Sequence, residues 1–229
     1  MTVSRRARRW AIVLVVLLGA ALAAAYVYAR QWRPDRAAYP VQGATLGAAN
    51  GDIAMGRLHA AGVDFAYFDA SDGARFHDAN YDANRAKARA AGMRYGAVHH
   101  YELCAMASEQ AANFARYVPR DQGMLPPILR LDFAGCARRP TRALVLSELT
   151  TFLAQVEAHA GLPMMLMPDA DFEEAYHISA AFERSVGVIG DFREPDYAAR
   201  HWALWQASDW ARLDGVDGAV RWNVVYPGP

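Results

Sequence analysis

Cysteine is almost missing from this chain: its 229 residues include only Cys104 and Cys136. Neither belongs to a CxxC pair or a histidine-rich cluster, so a zinc site is not expected, nor is any other metal or cofactor. An excess of either charge is missing too, with 24 Lys and Arg against 24 Asp and Glu. That balance gives no electrostatic case for nucleic acid as a partner. Low-complexity tracts are absent, and the 17 glycines and 11 prolines are scattered, which removes disordered and repetitive classes. What is present is a 54% hydrophobic composition, enough for one well-filled domain plus a short appendage.

The appendage is N-terminal. Arg5, Arg6, Arg8 and Arg9 precede an uncharged run from Trp10 to Ala29, and Arg30, Arg33 and Arg36 close it. About twenty residues at ~1.5 Å each span roughly 30 Å, the thickness of a bilayer's hydrocarbon core. Trp10, Tyr26, Tyr28 and Trp32 stand where interfacial aromatics belong, and the leading arginines keep the N-terminus cytoplasmic. The small residues from Ala20 to Ala25 leave a cleaved signal peptide as the alternative. The expected organisation is a cytoplasmic basic stub (1–9), a single-pass signal-anchor helix (10–29), a linker (30–38) and an exported domain (39–229). The domain then lies in the periplasm or outside the cell, tethered to the cytoplasmic (inner) membrane. In that oxidising setting Cys104 and Cys136 are expected to form a disulfide.

Beyond the linker, strand and helix patterns alternate. Helices are expected over Ile53–Ala61 (with Asp52 as cap), Asn80–Ala91, Ser108–Tyr117, Thr141–His159 and Asp171–Tyr176. Strands are expected over Val63–Phe68, Met93–His99, Pro127–Phe133, Met164–Met167, Ser185–Ile189, Trp202–Gln206 and Ala219–Val225. Ala60-Ala61-Gly62-Val63 and Ala90-Ala91-Gly92-Met93 mark the same helix-to-strand transition, about thirty residues apart, the length of one strand-helix unit. The alternation implies a parallel sheet with right-handed crossovers. Around eight strands in about 190 residues suggest a closed, irregular barrel with few helices in its last third.

Certain stretches carry a family likeness: Tyr39-Pro40-Val41-Gln42-Gly43, Gly51-Asp52-Ile53, Ala61 to Tyr67, Gly96-Ala97-Val98-His99, Glu109 to Phe114, Leu125 to Leu129, Trp202 to Gln206 and Trp222 to Val225. In this order they resemble the glycoside hydrolase family 25 lysozymes, which cut between N-acetylmuramic acid and N-acetylglucosamine. The resemblance covers roughly Tyr39 to Pro227 and implies an irregular TIM-like (β/α)5β3 barrel, with peptidoglycan or a related glycan as the partner. It also implies carboxylates at the carboxyl ends of the strands. Where the family's first strand carries Gly-hydrophobe-Asp, this chain has Gly43-Ala44-Thr45. The fourth-strand Asp-x-Glu is Arg130-Leu131-Asp132 here, and the last-strand Asp-x-Asn is Arg221-Trp222-Asn223. The loop after the second strand, Lys-Ala-Thr-Glu-Gly in the family, reads Asp69-Ala70-Ser71-Asp72-Gly73.

Glycoside hydrolysis needs a proton donor at the leaving oxygen and negative charge beside the cationic sugar. Asp132 remains as the candidate catalytic acid, shorter than Glu by one methylene, and Arg130 on the same strand face favours its ionised form. Thr45 is a degenerate catalytic position. Tyr67, Asp69, Asp72, His99, Arg130, Trp205, Gln206, Arg221 and Asn223 are candidate ligand-binding groups. The plainer readings are barrel packing for Tyr67 and Trp205, a structural histidine at His99 or His100, and a structural ion pair for Arg130 with Asp132. Three functions remain open: an impaired muramidase homologue that binds peptidoglycan, an active muramidase using Asp132 with Asp69 or Asp72, and an envelope scaffold binding a protein.

Overall fold

The computed structural model describes residues 5–137 and 139–228; Met1–Ser4 of the expected stub lie outside the described residues. The chain opens with α1 (Arg5–Gln31), a helix continuous from the arginine cluster through the apolar run into the expected linker. Its 24-residue stretch Arg8–Gln31 is long and apolar enough to cross a membrane. The barrel then follows in strand-helix units: β1 (Gln42–Leu46), α2 (Met55–Ala60), β2 (Phe65–Asp72), β3 (Phe76–His77), α3 (Tyr81–Ala90), β4 (Arg94–Tyr101) and α4 (Ala107–Tyr117). Next come β5 (Ile128–Leu131), α5 (Arg142–Ala160), β6 (Met165–Pro168), α6 (Ala170–Tyr176) and α7 (Ile178–Ala181). The last three strands, β7 (Gly187–Ile189), β8 (Leu204–Ala211) and β9 (Val220–Val225), carry no helices between them. This is the (β/α)5β3 pattern, with β3 as a small hairpin arm on β2.

The strand order is β6-β5-β4-β2-β1-β9-β8-β7. A parallel bridge between Leu166 and Val186 draws the two ends of the sheet together, so the barrel is nearly closed. β9 runs antiparallel to both β1 and β8, so its amino end lies at the rim where the other strands end. Side chains alternate across this wall. Phe65, Tyr67, Val98, Ile128, Met165, Met167 and Leu204 fill the barrel's interior. Ala44, Leu46, Ala66, Phe68, Leu129, Leu131, Leu166 and Val188 face the helices in a larger core with Phe114, Leu149, Phe152 and Phe172. Two filled layers bury aliphatic and aromatic area on both faces of the strands, the main stabilising term for a barrel.

Local sequence explains the element ends. Gly62 and Gly92 both adopt positive φ (86° and 67°), the left-handed exit that lets each helix turn into the following strand. Thr141 and Asp169 accept hydrogen bonds from Leu144 N (3.4 Å) and Phe172 N (2.8 Å), capping α5 and α6. Asp52 does not cap α2. That helix starts later, after Ala54, and Asp52 pairs with Lys87 on α3 instead.

Candidate active site at the barrel mouth

The carboxyl ends of the strands form a polar mouth above the apolar interior. Thr45, Asp69, His100, Arg130, Gln206, Arg221 and Asn223 sit on the inward face, with Asp132 one residue past β5. Arg221 Nη2 pairs with Asp69 Oδ2, and His100 Nε2 lies 2.9 Å from Asp69 Oδ1. Arg130 Nη1 donates to Gln206 Oε1 (3.0 Å), and Gln206 Nε2 donates to Asp209 Oδ1 (2.6 Å). Arg130 Nε is 3.8 Å from Asp132 Oδ2, so the same-face geometry expected for these two residues holds. Thr45 Oγ1 accepts from Asn223 Nδ2 at 2.7 Å, both side chains being buried.

These contacts set the electrostatics. Burial alone would raise the Asp69 carboxyl, but Arg221 and His100 outweigh it and hold the group below its ordinary value. Asp72 is shifted upward, first by burial and then by the charges of Asp132 and Asp69. Asp209 is raised by burial and by Asp191, and Asp169 by burial and by Asp132. Arg130 is lowered, chiefly by burial and by the like charge of Arg221. Two guanidiniums therefore share the mouth with several carboxylates. Asp69 is held toward its ionised form, whereas Asp72, Asp169 and Asp209 are all shifted toward protonation; of these three, Asp72 borders the groove's cavity. A cavity of about 480 Å³ opens there, lined by Asp69, Asp72, Phe76, His77 and His100. Among the described residues, no group of three or more His, Cys, Asp or Glu is placed to hold a metal ion.

Several sequence expectations need correction. Asp69 and Asp72 belong to β2, not to a loop after it. A bulge between Asp69 and Ser71 resets the register, so Asp72 aligns with His100 and turns into the mouth. His99 does not reach the groove: it is 0% exposed on the helix-facing side, stacked on Phe152 at 4.9 Å and 2.8 Å from Ser71 Oγ. Its neighbour His100 takes the inward place. Tyr67 is buried inside the barrel, donating to Pro126 O at 3.0 Å, and its ring fills the space that Gly96 leaves open. Trp205 lies on the outer wall, edge-on to Trp32 and Tyr39, with Nε1 donating to Gly190 O. Asp169 and Asp209 join the mouth unforeseen. Asp169 could have been found as an acid immediately following a barrel strand; Asp209 lies on a part of β8 that the expected strand omitted.

Cys104 and Cys136 form a disulfide with Cα atoms 5.3 Å apart, tying the loop after β4 to the loop after β5 at the mouth.

Comparison with known proteins agrees with this geometry. The sequence model of glycosyl hydrolases family 25 matches residues 46–216. That span begins one residue after Thr45 and ends before Arg221. The uncharacterized protein YegX from two strains of Escherichia coli, O6:H1 CFT073 and K12, is 28% identical over 166 residues, 71% of this chain. The chain spans 59% of the length of those relatives. Among solved structures, a family 25 glycosyl hydrolase from Bacillus anthracis superposes with a TM-score of 0.78 at 25% identity, covering 87% of this chain and 94% of that one. The bacterial lysozyme from Streptomyces coelicolor gives a TM-score of 0.72 at 24% identity, over 82% of this chain and 92% of that one.

Proposed function

This chain belongs to glycosyl hydrolases family 25, and from that premise we propose that it is a membrane-anchored, exported peptidoglycan-binding domain with impaired muramidase chemistry. The observation that carries the reading is the pair of guanidiniums at the mouth. Arg221 and Arg130 stand at positions that the family likeness assigns to acids, and each engages a neighbouring polar group. A developing oxocarbenium ion needs negative charge at its face, and these side chains supply positive charge there. Asp69 is tied to Arg221 and His100, which removes it as a free base. Asp132 accepts Ala134 N–H on Oδ1 at 2.8 Å and has Arg130 Nε 3.8 Å from Oδ2, so both of its oxygens are engaged within the protein.

Binding survives such replacements better than catalysis. The 480 Å³ cavity offers acids, the imidazoles of His77 and His100 and the Phe76 ring to sugar hydroxyls and faces. Arg130 and Arg221 suit carboxylates of the glycan's lactyl or peptide groups. The tether is α1, whose described apolar residues from Trp10 to Tyr28 are exposed. One observation favours a second reading, an active muramidase: Asp72 has a raised pKa and borders the cavity, as a general acid should.

Sedimentation of the full chain with purified peptidoglycan at low salt, followed by a clearing assay, tests the proposal. The expected result is pelleting without clearing. Clearing that disappears in Asp132→Ala or Asp72→Ala would establish the active reading, and failure to pellet would favour a scaffold that binds protein.

A further inference from the structure

The foot of α1 climbs the outer wall of the barrel, and its sequence of contacts fixes the end from which the helix departs. Gln42 opens β1 at the amino-end rim. Just before it, Tyr39 packs on Trp202 and Trp205 at 6.2 and 5.6 Å, beside the amino half of β8. Further up, Trp32 meets Trp205 and Phe192 at 6.4 and 5.2 Å. Arg212, the residue after β8, donates its N–H to Arg30 O at 3.1 Å, and Arg33 Nη2 donates to Arg212 O at 2.9 Å. Tyr26 lines a cavity with Asp209, Trp210 and Ala219. The carboxyl end of β8 is the mouth, where Asp209 also bonds Gln206. From Tyr26 back to Trp10 every described residue is exposed. The helix therefore leaves past the mouth.

We propose that the barrel mouth faces the membrane that α1 crosses and rests on its phospholipid surface. This rests on reading α1 as an uncleaved anchor. The apolar span ends at Tyr26 to Arg30, level with the mouth rim, so the rim lies in the headgroup layer. The rim carries suitable groups. Trp210 is 45% exposed while its indole N–H is held by Asp191 Oδ2 at 3.0 Å, and Phe192 is 39% exposed. Phe192 adopts φ 64°, a conformation that bulky residues rarely take, with its N–H bonded to Ala207 O at 2.9 Å. That backbone position presents an aromatic ring at the foot of the helix. Aromatic rings with Arg30 and Arg212 beside them match an interface of apolar chains and anionic phosphates. The groove then receives glycan lying at the membrane surface and turns away from the distal wall.

The test uses the full chain in vesicles of phosphatidylethanolamine and phosphatidylglycerol that carry a headgroup acceptor dye. Both native cysteines are bridged, so Ala219→Cys at the mouth and Ala91→Cys at the opposite rim each add one labelling site. The eight-residue β4 puts the two rims about 25 Å apart. The expected result is energy transfer to the lipid several-fold stronger from position 219 than from position 91. Equal transfer, or stronger transfer from position 91, overturns the orientation. Carbonate washing separates the two ideas: protein that washes off refutes the anchor and the orientation with it. Protein that stays while the transfer order fails refutes the orientation alone.

Discussion

At Asp69 a guanidinium and an imidazole converge, Arg221 on one oxygen and His100 on the other. Removing Arg221 leaves a partly buried carboxylate with one partner. Arg221→Ala should therefore raise the Asp69 pKa and destabilise the domain by about 1–3 kcal/mol. At about 2–4 °C per kcal/mol for a chain of this size, thermal unfolding registers a fall of several degrees. An unchanged midpoint would show that the pair contributes nothing to the fold. His99 supplies a separate pH signature. Burial pushes its pKa from 6.5 down to about 3, so the folded state holds it neutral while the unfolded chain takes up a proton below 6.5. Its share of stability is complete above pH 6.5 and declines by roughly 1.4 kcal/mol per pH unit toward pH 3. Asp69, held below 3.8, keeps its stabilising effect down to about pH 3.8 and loses it as the pH falls further. His99→Gln should flatten the fall in unfolding temperature between pH 6.5 and 4; a slope equal to wild type would place the titrating group elsewhere.

Among the elements, the existence and order of strands and helices were legible because Gly62, Gly92 and the apolar runs punctuate the chain. The facing of individual side chains was less so. β4 is buried from Tyr95 to His99 on both faces, so it carries no polar alternation to tell His99 from His100. In β2 the bulge shifts Asp72 by one step, and strict two-residue periodicity cannot anticipate an inserted residue. Trp205 has the look of a sugar platform, yet Leu204 and Gln206 take the inward positions on either side of it. By contrast, Thr45, Arg130, Arg221 and Asn223 were placed by family motif, and strand register brings them together at one rim. The loops at that rim are joined by Cys104–Cys136 across 32 residues. Closing a loop of that length limits the unfolded chain by about 3–4 kcal/mol. Reduction, or the Cys104→Ser/Cys136→Ser double variant, should lower the unfolding temperature by on the order of 10 °C. A shift within a degree or two would mean that the bridge is dispensable to the fold.

For the whole molecule, two layers of packing and a nearly closed sheet build the same barrel as the Bacillus anthracis hydrolase, and none of that depends on the residues at the mouth. The fold can therefore persist while its chemistry changes, because the strands are held by interior and helix-facing side chains rather than by catalytic ones. On the function proposed above, charge at the mouth decides activity. The most direct test is the release of reducing ends from purified peptidoglycan. The full chain is compared with a variant carrying Thr45→Asp, Arg130→Asp, Asp132→Glu and Arg221→Asp. The expected result is background release from the natural chain and at least a ~100-fold gain in the restored one, the scale that a working general acid supplies. Release by the natural chain at the restored variant's rate, abolished by Asp132→Ala, would contradict the claim that arginines at the mouth have silenced the site.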